Sequence, residues 1–432
     1  MTTLSWVTVA VFIVVYVFIG TEWVPRATAA LAGAVIVLVI GATDADQAFF
    51  SPEAGVDWNV IFLVLGMMLI VAVVKRTGLF EFLAIWAAKR AGGRPFRLMI
   101  ILIIVTAVVS AALDNVTTVL LVAPVTFLVC ERLGVPAVPF LIAEVMASNI
   151  GGTATLVGDP PNIIIASRAG LTFNQFLAVI GPFIVGVLIV FLALCRWLFR
   201  DALRYDPRRA AQLAELREGD AIRDRRLLVM SLAVIAVVVG VFLAHSALDY
   251  EPSVVAICGG LLLVGLSGVD PKELAGDVEW PTLAFFAGLF VVVGALVNTG
   301  VVDTVARAAT DASGGNVWQG SMVLLWGSAV LSAFVDNIPY VATMSPIVDQ
   351  MVHASPDPGQ AQVLWWSLAI GADLGGNATA IGASANVVVL GIAARAGYPI
   401  SFWEFTRYGL IVTAITVGLA VPYLYLRFFA FT

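Results

Sequence analysis

The sequence predicts an all-α polytopic membrane protein: two inverted repeats, each of five membrane crossings plus one re-entrant helical hairpin, with broken helices at the midplane. The first observation behind this is composition. Of 432 residues, 61% are hydrophobic and 12% charged, where a soluble domain carries about 25% charged residues. The second is that apolar runs long enough to cross a bilayer recur along the whole length, as at 4–20, 59–74 and 227–244. The third is self-similarity. Asp57-Trp58 recurs as Glu279-Trp280, Gly66 as Gly288, Thr77-Gly78 as Thr299-Gly300, Ser110 as Ser332, Asp114-Asn115 as Asp336-Asn337 and Pro124 as Pro346, all 222 residues apart. Farther on, Gly151-Gly152 matches Gly375-Gly376, Ala154-Thr155 matches Ala378-Thr379, Gly158 matches Gly382 and Asn162 matches Asn386, now 224 apart. The chain is a duplication: a first transmembrane repeat at 1–199, a charged linker at 200–226 and a second, inverted repeat at 227–432.

Each half reads in the same order. Two spans come first (4–20 and 27–42; 227–246 and 253–268), then a third (58–75; 280–298). The first basic residue, Arg26, follows the first apolar run, so 4–20 reads as a retained span and not as a signal peptide. Short amphipathic connectors follow at 79–91 and 301–312. Next are apolar segments, 97–132 and 317–352, with Asp-Asn at the middle. Arg97 and Arg132 flank the first, which is the pattern of a hairpin with both ends on one side and its tip at Asp114-Asn115. A span interrupted by Gly, Asp and Pro comes next (137–168; 362–396), then a last span (174–196; 404–427). Five crossings is an odd number, so the second half sits upside down. That is the architecture of secondary transporters. The alternating pattern of an outer-membrane barrel is absent.

Charge placement sets the orientation. The linker holds eight Arg and six acidic residues, and Lys75, Arg76, Lys89, Arg90, Arg94 and Arg97 form a second basic cluster. Both belong in the cytoplasm by the positive-inside rule. The expected location is the inner (plasma) membrane, with both termini outside. Net charge, −6, decides nothing. Cysteines 130, 195 and 258 lack the spacing of a disulfide framework or zinc site. None of the three lysines (75, 89 and 272) follows a Gly-rich run, so there is no P-loop and any ATP-driven step would belong to an external ATPase subunit. Nothing points to nucleic acid.

The candidate site is where two hairpin tips and two breaks converge. The tips are 112–118, with Asp114, Asn115 and Thr117, and 334–340, with Asp336 and Asn337. The breaks are 148–162, with Asn149, Gly151, Gly152, Thr153, Thr155, Asp159 and Asn162, and 372–386, with Asp373, Gly375, Gly376, Asn377, Thr379, Ser384 and Asn386. Irregular backbone at membrane depth is tolerated only inside protein or along a cavity. Paired glycines are expected to let the backbone leave the helix, freeing carbonyls for a cation and helix N-termini for an oxygen-rich substrate. Intramembrane carboxylates are functional by default. Asp114, Glu144, Asp159, Asp336 and Asp373 qualify, although Glu144 has no acidic counterpart. No Lys or Arg occurs between Arg97 and Arg132, at 133–167 or at 308–394. The acids are therefore expected to lack basic partners, which favours H⁺ or Na⁺ as coupling ion, held at these same residues, and a neutral or cationic substrate. An isolated Asp-Asn is equally well explained as a helix cap, and paired glycines as close helix packing. Recurrence in both halves favours function. His245 and His353 sit near span ends and read as interfacial.

At these motifs the sequence resembles the ion transporter superfamily, in its arsenical pump membrane protein (ArsB-type) and melanosomal P-protein branch. The segment 149–162 looks very like that branch's signature, and Asp114-Asn115 and Asp336-Asn337 resemble its paired tips. The resemblance implies ten spans and two hairpins with a substrate site between the repeats. It also implies a range of activities: arsenite and antimonite export, sodium/proton antiport and organic-anion carriage. Dicarboxylate carriers of the superfamily bear Ser-Asn-Thr at tips and breaks, so Asp-Asn here argues against a carboxylate substrate. Arsenous acid is small, uncharged and triol-like, and a pocket of Asn, Thr and Asp suits it. The expectation is a proton-coupled arsenite/antimonite exporter, with a sodium/proton antiporter as the alternative. A tris-thiolate arsenic site at the three cysteines is disfavoured, since they fall in separate helices and a carrier must release its cargo.

Overall fold

The computed structural model describes residues 1–430 except 22, 201, 204–220, 249 and 313. Most of the linker, 200–226, and the side chain of His245 thus lie outside the described residues.

The first half contains α1 (Thr3–Thr21), α2 (Arg26–Val39), α3 (Ala45–Phe50), α4 (Trp58–Arg76), α5 (Leu79–Ala91), α6 (Pro95–Ala112), α7 (Asn115–Leu133), α8 (Ala137–Gly152), α9 (Pro160–Ala169) and α10 (Phe173–Leu198). The second half repeats that order. Its helices are α11 (Arg225–Leu248), α12 (Pro252–Ser267), α13 (Pro271–Asp277), α14 (Trp280–Asn298), α15 (Val301–Ala312), α16 (Val317–Ser332), α17 (Asn337–His353), α18 (Pro358–Ala361), α19 (Val363–Gly375), α20 (Ser384–Arg395) and α21 (Phe402–Phe428). The small α18 has no counterpart and sits where the repeat offset changes. Among the described residues all regular structure is helical. Eight helices among the described residues are long and apolar enough to cross a membrane: α1, α4, α6, α7, α10, α11, α14 and α21. Both arms of the first hairpin, α6 and α7, are in that set; the arms of the second, α16 and α17, are 16 and 17 residues long.

Polar side chains start several of these helices. Asp57 caps α4 by accepting from the amides of Asn59 (3.1 Å) and Val60 (3.2 Å). Thr172 and Gln175 form a reciprocal capping box on α10. The spans keep large apolar residues exposed, among them Val35, Val39, Val185, Ile189, Val237 and Val323. In a bilayer these face lipid.

The main packing swaps helices between halves. α4 packs most extensively on α12, and α14 on α2. A Cβ on Gly66 would come within 2.4 Å of the Ala256 backbone, and one on Gly288 within 2.7 Å of Ala30. Such backbone approach is what small residues provide between helices where no hydrophobic drive exists. Each hairpin packs on the break of its own half, α6 on α8 and α16 on α19. The helix after each break packs on the opposite hairpin, α9 on α17 and α20 on α7.

At one end of the molecule Arg76 reaches Glu273 (2.7 Å) and Asp277 (3.0 Å), and Lys75 lies 3.8 Å from Asp277. At the other, Asn298 donates to Thr43 (3.0 Å) and Gln47 (3.1 Å). The short helices α3 and α13 at these ends were not foreseen from sequence. Each is opened by an Asp cap, Asp44 accepting from Gln47 and Asp270 from Lys272.

Candidate functional site

Both hairpin tips are built by their aspartates. Asp114 is the extended residue before α7, and its Oδ1 accepts the Thr117 amide at 2.7 Å. Asp336 stands the same way before α17, with Oδ1 accepting the Ile338 amide at 3.1 Å. The capping role is therefore real at both tips, and it leaves one carboxylate oxygen of each for other work.

The breaks are held by a matched set of bonds. Asn162 donates to the carbonyls of Gly152 (3.3 Å) and Thr155 (3.1 Å), and Asn386 to those of Gly376 (2.8 Å) and Thr379 (2.9 Å). Thr155 donates to Ala111 O at 2.5 Å, and Thr379 to Ala333 O. Ser110 donates to Ser148 O (2.8 Å), and Ser332 to Ala372 O (2.7 Å). These carbonyls were expected to be free for a cation; they already serve as acceptors, because a broken helix must satisfy its own ends.

The glycines also differ from expectation. Thr153 and Gly376 close α8 and α19 in right-handed conformation, and none of Gly151, Gly152, Gly375 and Gly376 has positive φ. What they permit is contact. A Cβ would lie 2.2 Å from Ala107 O at Gly151, 2.6 Å from Ala329 Cα at Gly375, and 2.7 Å from Gly158 O at Gly152.

At the centre, amides and carboxylates from both halves interlock. Asn115 donates to Asn149 Oδ1 (3.2 Å) and Asp159 Oδ2 (2.9 Å), and Asn337 donates to the same Asp159 oxygen (3.2 Å). Asn149 donates to Asn377 Oδ1 (2.9 Å) and Asn386 Oδ1 (3.0 Å). Thr153, bonded to Asn149 O, and Asn162 lie beside Asp373. Asp159 Oδ1, both oxygens of Asp373, Asn162 Oδ1 and Asn377 Nδ2 are nonetheless buried without a partner of hydrogen-bonding geometry. Buried polar atoms left this way cost roughly 1–3 kcal/mol each, and five of them gathered at one place make this cluster the candidate site.

Beside the cluster lies a cavity of about 250 Å³. Its polar wall is Asp114, Asn115, Asp159, Asn337, Ser384, Glu279 and Thr282; its apolar wall includes Val64, Met67, Met68, Leu120, Ile163 and Val388. A vestibule of about 480 Å³, lined by Arg26, Pro281, Phe285 and others, shares Thr282, Ile338 and Ser384 with it. A smaller vestibule of about 190 Å³, with Asn59, Glu251 and Pro252, shares Ile163.

The expectation that the acids lack basic partners is overturned at Asp336. Arg26 Nη1 sits 2.8 Å from its Oδ2, and Ser384 donates to that oxygen at 2.5 Å. The partner is 310 residues distant in the chain, beyond any reading of local segments. Glu279 and the α4 methionines were also missed. Glu279 was visible only as the repeat partner of Asp57, while Met67 and Met68 looked like ordinary span residues. Glu144 lies apart from the cluster, accepting from Thr126 at 2.6 Å, about three helical turns beyond the tip. Cys130, Cys195 and Cys258 lie on α7, α10 and α12, the first two buried and the third exposed.

Comparison with known proteins agrees with this architecture. An uncharacterized transporter of Mycobacterium tuberculosis is 54% identical over 426 residues, covering 99% of each chain. The P protein of Homo sapiens is 33% identical over 486 residues, 94% of this chain and 58% of that protein, which bears out the resemblance seen at the breaks and tips. Among solved structures, the Alcanivorax borkumensis YdaH transporter superposes with TM-score 0.57 at 17% identity, over 91% of this chain and 88% of that one. Neisseria gonorrhoeae MtrF, described as one of a class of antimetabolite efflux pumps, gives 0.62 at 12%, over 93% and 85%; both likenesses concern the fold. The family described as citrate transporter (CitMHS) matches residues 16–371. With that match, on a scaffold of paired tips and broken helices, the chain belongs to the citrate-transporter family of membrane transporters.

Proposed function

We propose that this chain is a secondary carrier working by alternating access, which exports a small uncharged, hydroxyl-bearing solute (arsenous acid or its antimony analogue) in exchange for protons. The observation that supports it most is the cluster of buried amides and carboxylates drawn from both halves, with several oxygens unpartnered. Substrate and ion contacts are assigned to Asp114, Asn115, Asn149, Asp159, Asn337, Asp373 and Asn377. Thr155, Asn162, Thr379, Asn386 and the four glycines hold the backbone that presents them.

The remaining parts of the reading belong together. The division at 1–199, 200–226 and 227–432, with the second half inverted, is supported by the exchange of α4 and α14 between halves. The cytoplasmic placement of the linker follows from the positive-inside rule, and its sharing a side with the basic cluster is supported by Arg223, whose amide donates to Thr77 O (2.9 Å) and whose guanidinium donates to Glu81 (3.0 Å).

A multi-carboxylate cargo of the kind that names the family fits the cavity poorly. Asp114, Asp159 and Glu279 line it. α9 also opens with Pro160-Pro161, which removes two of the amide donors that a helix N-terminus offers to anions. Sodium/proton antiport is the second reading, favoured by the bare oxygens of Asp373 and Asp159, since hard cations take oxygen ligands.

Arsenite uptake into inside-out vesicles under an imposed pH gradient tests the first reading. Gradient-driven uptake abolished by Asp114→Asn is the expected result. Absence of arsenite movement, with Na⁺-dependent proton flux in the same vesicles, would select the antiporter.

A further inference from the structure

The two hairpin tips are one sequence element in opposite electrostatic surroundings. Asp336, 3% exposed at its side chain, is fully engaged: Oδ1 holds the Ile338 amide, and Oδ2 takes both Arg26 and Ser384. Arg26 Nη1 also donates to Ser384 Oγ at 2.8 Å, closing a three-membered network.

The repeat shows what stands at the same places around the first tip. α2 and α12 align with Ala30 over Ala256, where Gly288 and Gly66 close in. Gly33 falls over Gly259, where an added Cβ would meet Val15 or Val238 at 2.4 Å in either case. In that register Pro252 occupies the place of Arg26. The 224-residue offset of the breaks puts Pro160 in the place of Ser384. Proline offers no side-chain donor. Asp114 accordingly takes the Thr117 amide on Oδ1, has no salt bridge among the described residues, and faces the 250 Å³ cavity together with Asp159. The Asp159 residue is 1% exposed and its Oδ1 is unpartnered.

We propose that Arg26 is a built-in cation. Its guanidinium fills, at the second tip, the position that an exchangeable small cation takes at the first, leaving one such site per chain, at Asp114 and Asp159. This rests on the cation-coupled carrier reading. A guanidinium held in place by α2 meets Asp336 without being captured from solution, and its bidentate-capable, weakly hydrated charge suits a buried carboxylate. It neutralises Asp336 without being released, so only the first tip exchanges its ion with solution.

The test is thermal unfolding of the purified, detergent-solubilised full chain against Na⁺ concentration, with choline holding ionic strength constant, at acid and at alkaline pH. Wild type should show a cation dependence that Asp114→Asn removes. Arg26→Met should roughly double the rise in melting temperature per tenfold Na⁺, as a second linked site requires. Arg26→Met with Asp336→Asn should return it to the wild-type slope, and Arg26→Lys should retain that slope. A wild-type dependence that Arg26→Met leaves unchanged would overturn the inference while sparing the carrier reading. No dependence on Na⁺ or pH in the wild type would overturn both. Should Arg26→Met not fold, Pro252→Arg with Pro160→Ser moves the arrangement to the first tip; loss of the cation dependence supports the inference, and its retention sinks it.

Discussion

Asp159 is the carboxylate that both hairpin tips reach. One oxygen takes amides from both tips, Asn115 and Asn337, while the other has no partner. Asp159→Asn keeps the shape but turns an acceptor shared by two amides into a group that must compete for them. The expected outcome is loss of transport with a melting temperature within a few degrees of wild type, read by vesicle flux and by unfolding in detergent. Asn149→Ala acts differently. It strands the side-chain carbonyls of Asn377 and Asn386, and a loss of about 1–3 kcal/mol is expected, checked by denaturant or thermal unfolding. These residues were legible in the sequence because Asn and Asp are rare in apolar segments, and because they sit in the two breaks that Gly151-Gly152 and Gly375-Gly376 mark at a fixed offset. Arg26 was not. Its basic side chain sits at a helix start, where charge is ordinary, and only three-dimensional packing brings it to Asp336.

Among the elements, the breaks are held by contact and not by unusual dihedrals. Gly151→Ala would drive a Cβ into Ala107, and Gly375→Ala into Ala329; each should cost about 1–3 kcal/mol as overpacking does. Gly186→Ala in α10, with nothing within 4 Å of its added methyl, should instead be neutral or stabilising by up to about 1 kcal/mol. Melting temperatures of the three variants side by side check both expectations, and equal effects would refute the contact argument. Helix bounds followed closely from hydropathy and from Pro, Gly and Asp punctuation. α3 and α13 escaped because six or seven residues give no periodicity, only an Asp cap. The role of the paired glycines was misjudged for a related reason, since a sequence shows that backbone can bend but not what presses against it.

At the scale of the molecule, the salt bridges of Arg76 and the bonds of Asn298 mark opposite ends. In the proposed orientation a cysteine replacing Lys272 should react with an impermeant maleimide in inside-out vesicles, and one replacing Gln47 in right-side-out cells. The reverse pattern would invert the topology. The order of the apolar helices was readable because a bilayer demands long apolar runs, whereas the pairing of those helices leaves no local signature. That pairing governs how the protein is made. α2 and α4 are neighbours in the chain, yet each finds its principal partner in the other half. During synthesis α4 must therefore wait in the bilayer until α12 has been translated, with Gly66 open to lipid. A nascent chain stopped at the linker holds an incomplete scaffold, exposed to quality-control proteases. Two separately encoded halves should each be short-lived alone and persist only when made together.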